Sequence, residues 1–284
     1  MEIHCKTHAK RGRASAFLNL RAFAVTVGPR METNVWDQAA TLAQKIADIA
    51  WNLKHYPEPG EGPAPLVVAH RGALDVHPEN SMQAFLAARA SGAWAIEFDI
   101  QFCKDGVPII LHDPNFSRTH GQDVKACDIV SASLKNYSPA VPTLKEVLAL
   151  KGLHFMIEVK SRLTDEQLEK LADTLSPLLP VTHYHLLSLN PDFVRISEAT
   201  PARAWFLVGE VNLKPLLDLS LRHGYAGVAG HYLTMTKTQI GLLHSANQKA
   251  GVGFVPSRNL WRRAWARGAD WVFTNHISRL KSSR

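Results

Sequence analysis

The chain has 284 residues and a formal net charge of +7, with 46% apolar and 20% charged residues. This composition is typical of globular proteins, and the length fits one large α/β domain. Residues 1–30 carry six Lys or Arg side chains against one acid, so most of the excess charge lies there and a basic nucleic-acid-binding face on the remaining chain is excluded.

Residues 1–30 form a basic N-terminal segment whose apolar stretch, Ala14 to Val27, is interrupted by Arg21. The interruption makes it a poor secretory signal, and no run in the chain reaches the roughly 18 apolar residues that a membrane span needs. The segment is rich in Arg and nearly free of acids, which is also typical of a mitochondrial transit peptide. We favour a start of translation at Met31 and exclude residues 1–30 from the fold prediction.

Residues 31–65 are predicted to hold one amphipathic helix and a linker. Between Trp36 and Tyr56, apolar residues recur at spacings of three and four, as on one helix face. Such a helix can lie on a membrane, but its few and mixed charges favour packing against the rest of the protein. Residues 57–65, which are rich in Pro and Gly, form the linker to the domain predicted over residues 66–284.

From Leu66 onward, apolar strand-like runs alternate with helical patterns. Several helical patterns open with capping sequences, such as Thr164 with Gln167, and end at glycine. Eight strands in this alternation favour an α/β fold of the (β/α)8 TIM-barrel type over an open doubly wound sheet, which stays an alternative. The predicted strands are 66–70, 95–101, 154–160, 184–189, 203–208, 225–229, 252–255 and 270–274; the predicted helices are 79–91, 143–151, 165–178, 191–198, 212–223, 236–250 and 260–267; the glycines predicted in left-handed C-terminal positions are Gly92, Gly152, Gly224, Gly251 and Gly268.

A long excursion, residues 102–142, separates the second predicted strand from the third. It contains Asp105-Gly106, a turn signal, between strand-like runs, which indicates a hairpin. The second run of that hairpin ends at His112-Asp113. Because long loops inside compact domains are usually functional, we expect this insertion to contribute to a site.

Charged residues interrupt two of the apolar strands near their carboxyl ends. Glu97 and Asp99 lie on strand two, and Glu158 and Lys160 lie on strand three. Residues two apart in a strand share a face, and barrel active sites lie at the carboxyl ends of the strands. A buried Glu–Lys salt-bridge layer is the structural alternative, but two such pairs in neighbouring strands favour a site. Three converging carboxylates would suit Mg²⁺ or Ca²⁺, because both cations prefer oxygen ligands.

Two histidines and an arginine accompany these charges. His70 ends the first strand and is followed by Arg71, and His112 ends the run in the insertion. Two histidines on opposite sides of a scissile bond can act as base and acid near neutral pH. A divalent cation and an arginine fork can hold a phosphate and neutralise charge that develops on it. These residue types together indicate phosphoryl transfer or phosphodiester cleavage.

The order and spacing of these motifs resemble the glycerophosphodiester phosphodiesterase family, whose members open with His-Arg-Gly, five residues and then Pro-Glu-Asn-Thr/Ser. The similarity extends over roughly residues 66–278, and its motifs are specific only in combination. The matching segments are His70 to Ser81, Glu97 with Asp99, Asp105-Gly106, His112-Asp113, Arg118-Thr119, Val141 to Leu148, Glu158 with Lys160, and Ser188 to Asn190.

The resemblance implies a TIM barrel that hydrolyses a glycerophosphodiester to glycerol 3-phosphate and an alcohol with one divalent cation, Mg²⁺ or Ca²⁺. In related enzymes the substrate is a lysophospholipid. By the same resemblance, the acid–base pair is His70 and His112, the metal ligands are Glu97, Asp99 and Glu158, and the groups that contact the phosphate or balance charge are Arg71 and Lys160.

Two segments depart from the family pattern at the C-terminal end. Where the family often has Trp-Thr-Val-Asn on strand seven, this chain has Pro256 to Asn259, and where it often has Thr-Asp-x-Pro, this chain has Thr274 to Ile277. These changes concern the wall around the alcohol leaving group, where Arg258 adds a cation unless it faces solvent. They leave the predicted metal and histidine centre unchanged.

Three alternatives stay open for the function. The enzyme can be a lysophospholipase D, or it can release a cyclic phosphate by using an internal hydroxyl of the substrate as nucleophile. A non-catalytic barrel that binds a phospholipid headgroup or a protein is a less favoured alternative, because every residue expected of the catalytic centre is present. The three cysteines lack metal-ligand spacing, which favours a reducing, cytoplasmic location. The oligomeric state is left open.

Overall fold

A computed structural model describes residues 42, 46, 48–51, 53–57, 62–210 and 213–280 of the chain. These residues fall into two units, divided between His55 and Tyr56. In the first unit, residues 42, 46, 48–51 and 53 are helical, within the range predicted for the N-terminal helix. The basic segment 1–30 and the beginning of that helix lie outside the described residues. No helix in the described ranges is long and apolar enough to cross a membrane.

The second unit is a TIM barrel, as predicted, with an insertion after its second strand. Eight parallel strands form the barrel, and the first of them pairs with both the second and the last, which closes it. The barrel strands are β1 (Leu66–His70), β2 (Ala95–Phe102), β6 (His154–Val159), β7 (Tyr184–Ser188), β8 (Trp205–Gly209), β9 (Gly227–His231), β10 (Lys249–Gly253) and β11 (Trp271–Thr274); those of the insertion are β3 (Pro108–Ile110), β4 (Asn115–Phe116) and β5 (Gln122–Lys125).

Helices follow most of the barrel strands, and three of them begin at capping boxes. In each box a threonine hydroxyl accepts from a backbone N–H three residues on, and the Glu or Gln there accepts from the threonine N–H; the box at Thr164 and Gln167 was predicted. The helices are α1 (Met82–Ala90), α2 (Ser117–His120), α3 (Leu134–Tyr137), α4 (Leu144–Leu148), α5 (Asp165–Leu175), α6 (Lys214–His223), α7 (Lys237–Ser245), α8 (Arg258–Arg267) and α9 (Ile277–Leu280).

Two predicted helices and one predicted glycine differ from the structure. The segment predicted as helix 191–198 contains only a short 3₁₀ turn, Pro191–Phe193, and helix α7 ends at Ser245 rather than at residue 250. Gly251 lies inside β10 instead of in a left-handed position after a helix. A Cβ at this position would lie 2.9 Å from the Ala229 Cβ and from a ring carbon of Phe273, so the barrel interior requires glycine here. The other four predicted glycines have positive φ.

Large apolar side chains fill the barrel interior on the amino-terminal side of the carboxylates, and polar groups occupy the carboxyl end. Phe206 and Phe273 occupy the interior beside the small residues of β9 and β10. Burial of these side chains is the main source of stability for such a layer. The cluster consists of Val68, Ala95, Met156, Leu187, Phe206, Ala226, Ala229, Trp271 and Phe273.

The insertion has a small hydrophobic core of its own. Its hairpin, β2 with β3, is antiparallel and turns at Gly106, where φ is +73°, as the Asp-Gly signal predicted. The insertion is joined to β2 by the pairing with β3 and by a hydrogen bond of 3.1 Å from Gln101 Nε2 to the His112 carbonyl oxygen, which hold the backbone of His112 beside the barrel mouth. The core residues are Cys103, Ile109, Leu111, Phe116, Ala126, Ile129, Leu134 and Val141.

Candidate active site

Strand register brings the three predicted carboxylates together at the carboxyl end of the barrel. Glu97 lies beside His70 in the β1–β2 pairing, and Asp99 lies beside Glu158 in the β2–β6 pairing. One carboxylate oxygen from each of the three acids lies within 4.8 Å of the others, and all three side chains are buried. The residues that sequence spacing placed on a shared face therefore form one cluster.

The cluster does not carry three full negative charges by itself. Burial and the neighbouring Asp99 raise the pKa of Glu97 to about 8. Burial, with Asp99 and Glu97 nearby, raises the pKa of Glu158 to about 7. Burial alone would raise the pKa of Asp99 as well, but Arg71 and Lys160 lower it below its ordinary value. Asp99 is thus the ionised member, whereas Glu97 is mostly protonated and Glu158 partly protonated near neutral pH unless a cation replaces the protons.

Arg71 and Lys160 balance the charge of Asp99 from two sides. Arg71 Nε lies 3.2 Å from Asp99 Oδ2, and Lys160 Nζ lies 3.3 Å from Oδ1 and 2.7 Å from Glu158 Oε1. Asn80 Nδ2 also donates to Asp99 Oδ2 at 2.8 Å. Arg71 and Asn80 both have left-handed backbones, with φ of 55° and 56°, a conformation uncommon outside glycine that re-aims both side chains at the cluster.

His70 lies at the edge of the carboxylate cluster. Its Nδ1 donates to Asn275 Oδ1 at 2.6 Å, so its Nε2 carries the lone pair and faces Glu97 Oε2 at 3.8 Å. Burial, together with the adjacent Arg71, lowers the pKa of His70 below its ordinary value. A neutral imidazole that presents a lone pair to the cluster is suited to accept a proton.

His112 approaches the site from the insertion. Its Nδ1 donates to Asp113 Oδ1 at 2.6 Å, because an ionised carboxylate can only accept. Burial would raise the pKa of Asp113, but hydrogen bonds from Arg118 and His112 lower it. The Nε2 atom of His112 is therefore the nitrogen left for proton transfer to or from a substrate.

Three residues that sequence reasoning missed contribute to the site. Asn80 and Asn275 orient Asp99 and His70, and Phe254 packs its ring edge-to-face against His70, with centroids 5.5 Å apart. The positions of Asn275 and Phe254, each directly after a barrel strand, are the sequence signal that could have indicated them.

The segment 256–259, which stands where the family often has a motif on strand seven, lies after that strand in the structure. Strand β10 ends at Gly253, and Ser257 instead caps helix α8. Asn259 accepts from the backbone N–H of Tyr56, and Arg258 donates to the Leu280 carbonyl oxygen. The residue that follows strand seven and lies beside His70 is therefore Phe254.

The donor set fits a divalent cation bound through oxygen. Asp99 Oδ1 makes no well-directed hydrogen bond with the described part of the chain although it is buried, so a lone pair stays available. A cation at the cluster would also relieve the repulsion that raises the pKa of Glu97 and Glu158. Carboxylate oxygens are the ligands of Mg²⁺ and Ca²⁺ rather than of Zn²⁺.

Comparison with known proteins finds similar sequences and, separately, solved structures of similar fold. Residues 70–206 match the model of the glycerophosphoryl diester phosphodiesterase family. Human glycerophosphodiester phosphodiesterase 1 is 27% identical over 55% of this chain and 54% of its own length. The glycerophosphodiester phosphodiesterase of Caldanaerobacter subterraneus is 36% identical over 34% of this chain and 45% of its own length. The chain spans about half the length, or less, of these curated relatives.

Solved structures share the barrel at lower sequence identity. The glycerophosphodiester phosphodiesterase of Thermotoga maritima superposes with a TM-score of 0.64 and 21% identity, over 76% of this chain and 97% of its own. A phosphodiesterase of Oleispira antarctica, in complex with the product sn-glycerol-3-phosphate, gives a TM-score of 0.64 and 23% identity over 76% of this chain and 95% of its own. These likenesses support the TIM-barrel fold.

Proposed function

Because residues 70–206 belong to the glycerophosphoryl diester phosphodiesterase family, we propose that this chain is a phosphoric diester hydrolase that converts a glycerophosphodiester to glycerol 3-phosphate and an alcohol. The observation that carries the proposal is the cluster of Glu97, Asp99 and Glu158 within 4.8 Å, with His70 beside it. A phosphodiester needs both charge neutralisation and proton transfer, and the cluster and the histidines supply these two functions.

Glu97, Asp99 and Glu158 would hold one divalent cation, Mg²⁺ or Ca²⁺. When bound, the cation supplies Lewis-acid polarisation of the phosphate and neutralises its charge. Lys160 stays beside Glu158 and Asp99, where it limits the repulsion among the acids and can contact a phosphate oxygen. Arg71 presents a planar guanidinium to the same region, a geometry that suits a phosphate.

The two histidines would move protons on opposite sides of the phosphorus. His70, neutral and with its Nε2 lone pair toward the cluster, accepts a proton of the attacking water. His112, held through its Nδ1 by Asp113, would act in its imidazolium form and give the Nε2 proton to the oxygen of the leaving alcohol. This division gives each imidazole one task, and a separate partner at Nδ1 orients each ring.

A lysophospholipid is the second candidate substrate, because apolar side chains are exposed on loops that follow barrel strands at the carboxyl end. Val76 follows β1, Leu189 follows β7 and Phe254 follows β10, and their exposed fractions are 63%, 44% and 41%. An acyl chain on the substrate would cover such side chains, whereas a small polar alcohol would not. The activity on this substrate would be that of a lysophospholipase D.

The compartment is proposed to be the cytoplasm, with the partner a small molecule. Cys103 and Cys127 are both free thiols, which agrees with a reducing environment. The formal charge of +7 lies mainly in residues 1–30, which favours a small phosphodiester over nucleic acid as the ligand.

A substrate panel tests the proposal. Purified protein is assayed with glycerophosphodiesters and lysophospholipids, with and without chelator, and Mg²⁺ or Ca²⁺ is then added back. We expect cation-dependent release of glycerol 3-phosphate, or of lysophosphatidate from the lysophospholipids. Phosphorus NMR distinguishes hydrolysis from a persistent cyclic phosphodiester. Absence of any product across the panel would favour the non-catalytic binding barrel instead.

A further inference from the structure

Arg118 lies at the centre of an ion-pair network at the barrel mouth. Its Nε donates to Asp113 Oδ2 at 2.5 Å, and its two terminal nitrogens donate to Glu79 Oε1 at 2.6 Å and Oε2 at 3.0 Å. Glu79 thus receives a bidentate fork, the strongest geometry available to an arginine and a carboxylate. One arginine side chain thus donates three hydrogen bonds to two acids that lie in different segments of the chain.

The two acids belong to the two segments that carry the proposed reacting groups. Asp113 follows His112 in the insertion and accepts from its Nδ1 at 2.6 Å. Glu79 lies in the loop between β1 and α1 and also accepts from Arg71 at 3.3 Å. Hydrogen bonds and ion pairs therefore connect His112, through Asp113, to Arg118. From there they continue through Glu79 to Arg71 and the buried Asp99.

We propose that Arg118 is a positioning residue, which ties the insertion to the β1–α1 loop and thereby fixes His112 and Arg71 relative to each other. The proposal rests on the proposed function, because it assigns a role within that same site. Arg118 acts on the substrate only through Asp113 and Glu79.

The geometry favours positioning over direct contact with the substrate. Three of the five guanidinium N–H donors are already used by Asp113 and Glu79, which hold the planar group in one orientation. Burial would raise the pKa of both acids, yet Arg118 is a leading cause of the lowered pKa of each. Without Arg118, two carboxylates that now face one guanidinium would repel each other, and the insertion and the loop would separate.

Arg118→Ala tests the proposal, with Arg118→Lys as the conservative variant and Lys249→Ala as the matched control. Lys249 forms an ion pair of 2.8 Å with Asp270 at the opposite end of the barrel, and both it and Arg118 are about half exposed. We expect kcat of Arg118→Ala to fall about 10-fold or more with a small change in KM, since partners that orient an active-site histidine have effects of this size. Lysine keeps the charge without the fork, so Arg118→Lys should recover only part of kcat.

Proton NMR provides a readout that needs no turnover. The His112 Nδ1 proton, in its short hydrogen bond to Asp113, should give a downfield resonance that Arg118→Ala broadens or removes and Lys249→Ala leaves in place. An unchanged resonance together with an unchanged kcat would overturn the positioning role. A selective rise in KM would assign Arg118 to direct substrate binding instead and would overturn it as well.

A double variant separates action through Asp113 from an independent effect. Because Arg118 acts through Asp113 as well as through Glu79, the loss of kcat in Arg118→Ala combined with Asp113→Asn should be smaller than full additivity of the two single losses. Full additivity of the two losses would contradict the proposal. Failure of the wild-type protein in the substrate panel would instead count against the proposed function, and the NMR comparison would still decide the role of Arg118.

Discussion

The two ends of the barrel bury polar groups for different reasons. At the carboxyl end, Glu97, Asp99 and Glu158 crowd negative charge into one cluster, and burial with mutual repulsion raises the pKa of both glutamates. At the amino end, His154 and His185 are buried as a hydrogen-bonded pair, Nε2 to Nδ1, at 2.8 Å. Strand β6 contributes to both groups, because it begins at His154 and carries Glu158 next to its last residue.

The amino-end pair is held by hydrogen bonds and by aromatic contacts. His154 Nδ1 donates to the Thr182 carbonyl oxygen at 3.2 Å, which leaves Nε2 to accept from His185. Trp94 stacks on His154 at 4.5 Å, and Trp271 lies edge-on to His185 at 5.0 Å. Burial lowers the pKa of His154 to about 4 and of His185 to about 3, so the pair is neutral near pH 7.

The histidine pair has the features of a structural group, whereas the carboxylate cluster has those of a ligand-binding site. The histidine pair shares one hydrogen bond, donates another to the Thr182 carbonyl oxygen and stays uncharged, as a structural layer should. The carboxylate cluster keeps a lone pair on Asp99 unused and holds protons on acids that would otherwise be ionised. Retaining such a cluster costs stability, which is expected where a site is arranged for a ligand.

The largest expected effect is a loss of catalytic activity at the carboxyl end of the barrel. His112→Ala should lower kcat by about 10²- to 10⁴-fold, because it removes one proton carrier, while the unfolding transition stays near that of the wild type. His223→Ala, at an exposed histidine that ends α6, is the matched control and should keep full activity. Rates and thermal melts of the two variants check this. Near-normal turnover of His112→Ala would refute the assignment of His112.

A smaller effect concerns cation binding and pH at the carboxyl end. The pKa of Glu97 is raised to about 8 and that of Glu158 to about 7, so below pH 7 both acids hold protons that a divalent cation must displace. Affinity for Mg²⁺ or Ca²⁺ should therefore rise with pH, by about tenfold per unit for each proton released, and level off above about pH 8. Calorimetric titrations at pH 6, 7 and 8 measure this. A pH-independent affinity would place cation binding elsewhere.

The amino-end pair should instead determine stability at acidic pH. The folded-state pKa values of His154 and His185 lie below the ordinary 6.5, so unfolded chains bind more protons and stability, complete above about pH 6.5, decreases as pH falls toward about 4. His185→Gln removes one titrating group and should reduce this slope by about 1.4 kcal/mol per pH unit. Urea unfolding between pH 4 and 8 gives the slope, with His223→Gln as control. A loss of turnover without a change in slope would make the pair functional.

The smallest expected effect is a change in the unfolding stability of the metal-free protein. Glu97→Gln removes a buried acid from the repelling cluster, so the metal-free variant should be more stable by about 1 kcal/mol, or roughly 2–4 °C in Tm. Added Mg²⁺ or Ca²⁺ should stabilise the wild type but not this variant. Glu166→Gln, at an exposed position on α5, should change neither quantity. A large destabilisation by Glu97→Gln would instead support the buried salt-bridge layer.

Much of the fold could be predicted because its signals are local. A capping box depends on four consecutive residues, and the box of Thr164 with Gln167 formed as predicted. Strand β10 was harder to predict, because Lys249–Gly253 contains two glycines and lacks an apolar strand pattern. Helix α7 was therefore predicted too long. Only the surrounding barrel, which presses Ala229 and Phe273 against Gly251, explains that strand.

The sequence by itself determined the alternation of strands and helices and the pairing of Glu97 with Asp99 on one face, because both follow from the period of the backbone. The tertiary structure decided which distant groups complete the site. Asn275 reaches His70 across 205 positions of the chain, and Arg118 reaches Glu79 across 39. Contacts of this kind depend on barrel closure and on how the insertion packs, and no local pattern of residues encodes either.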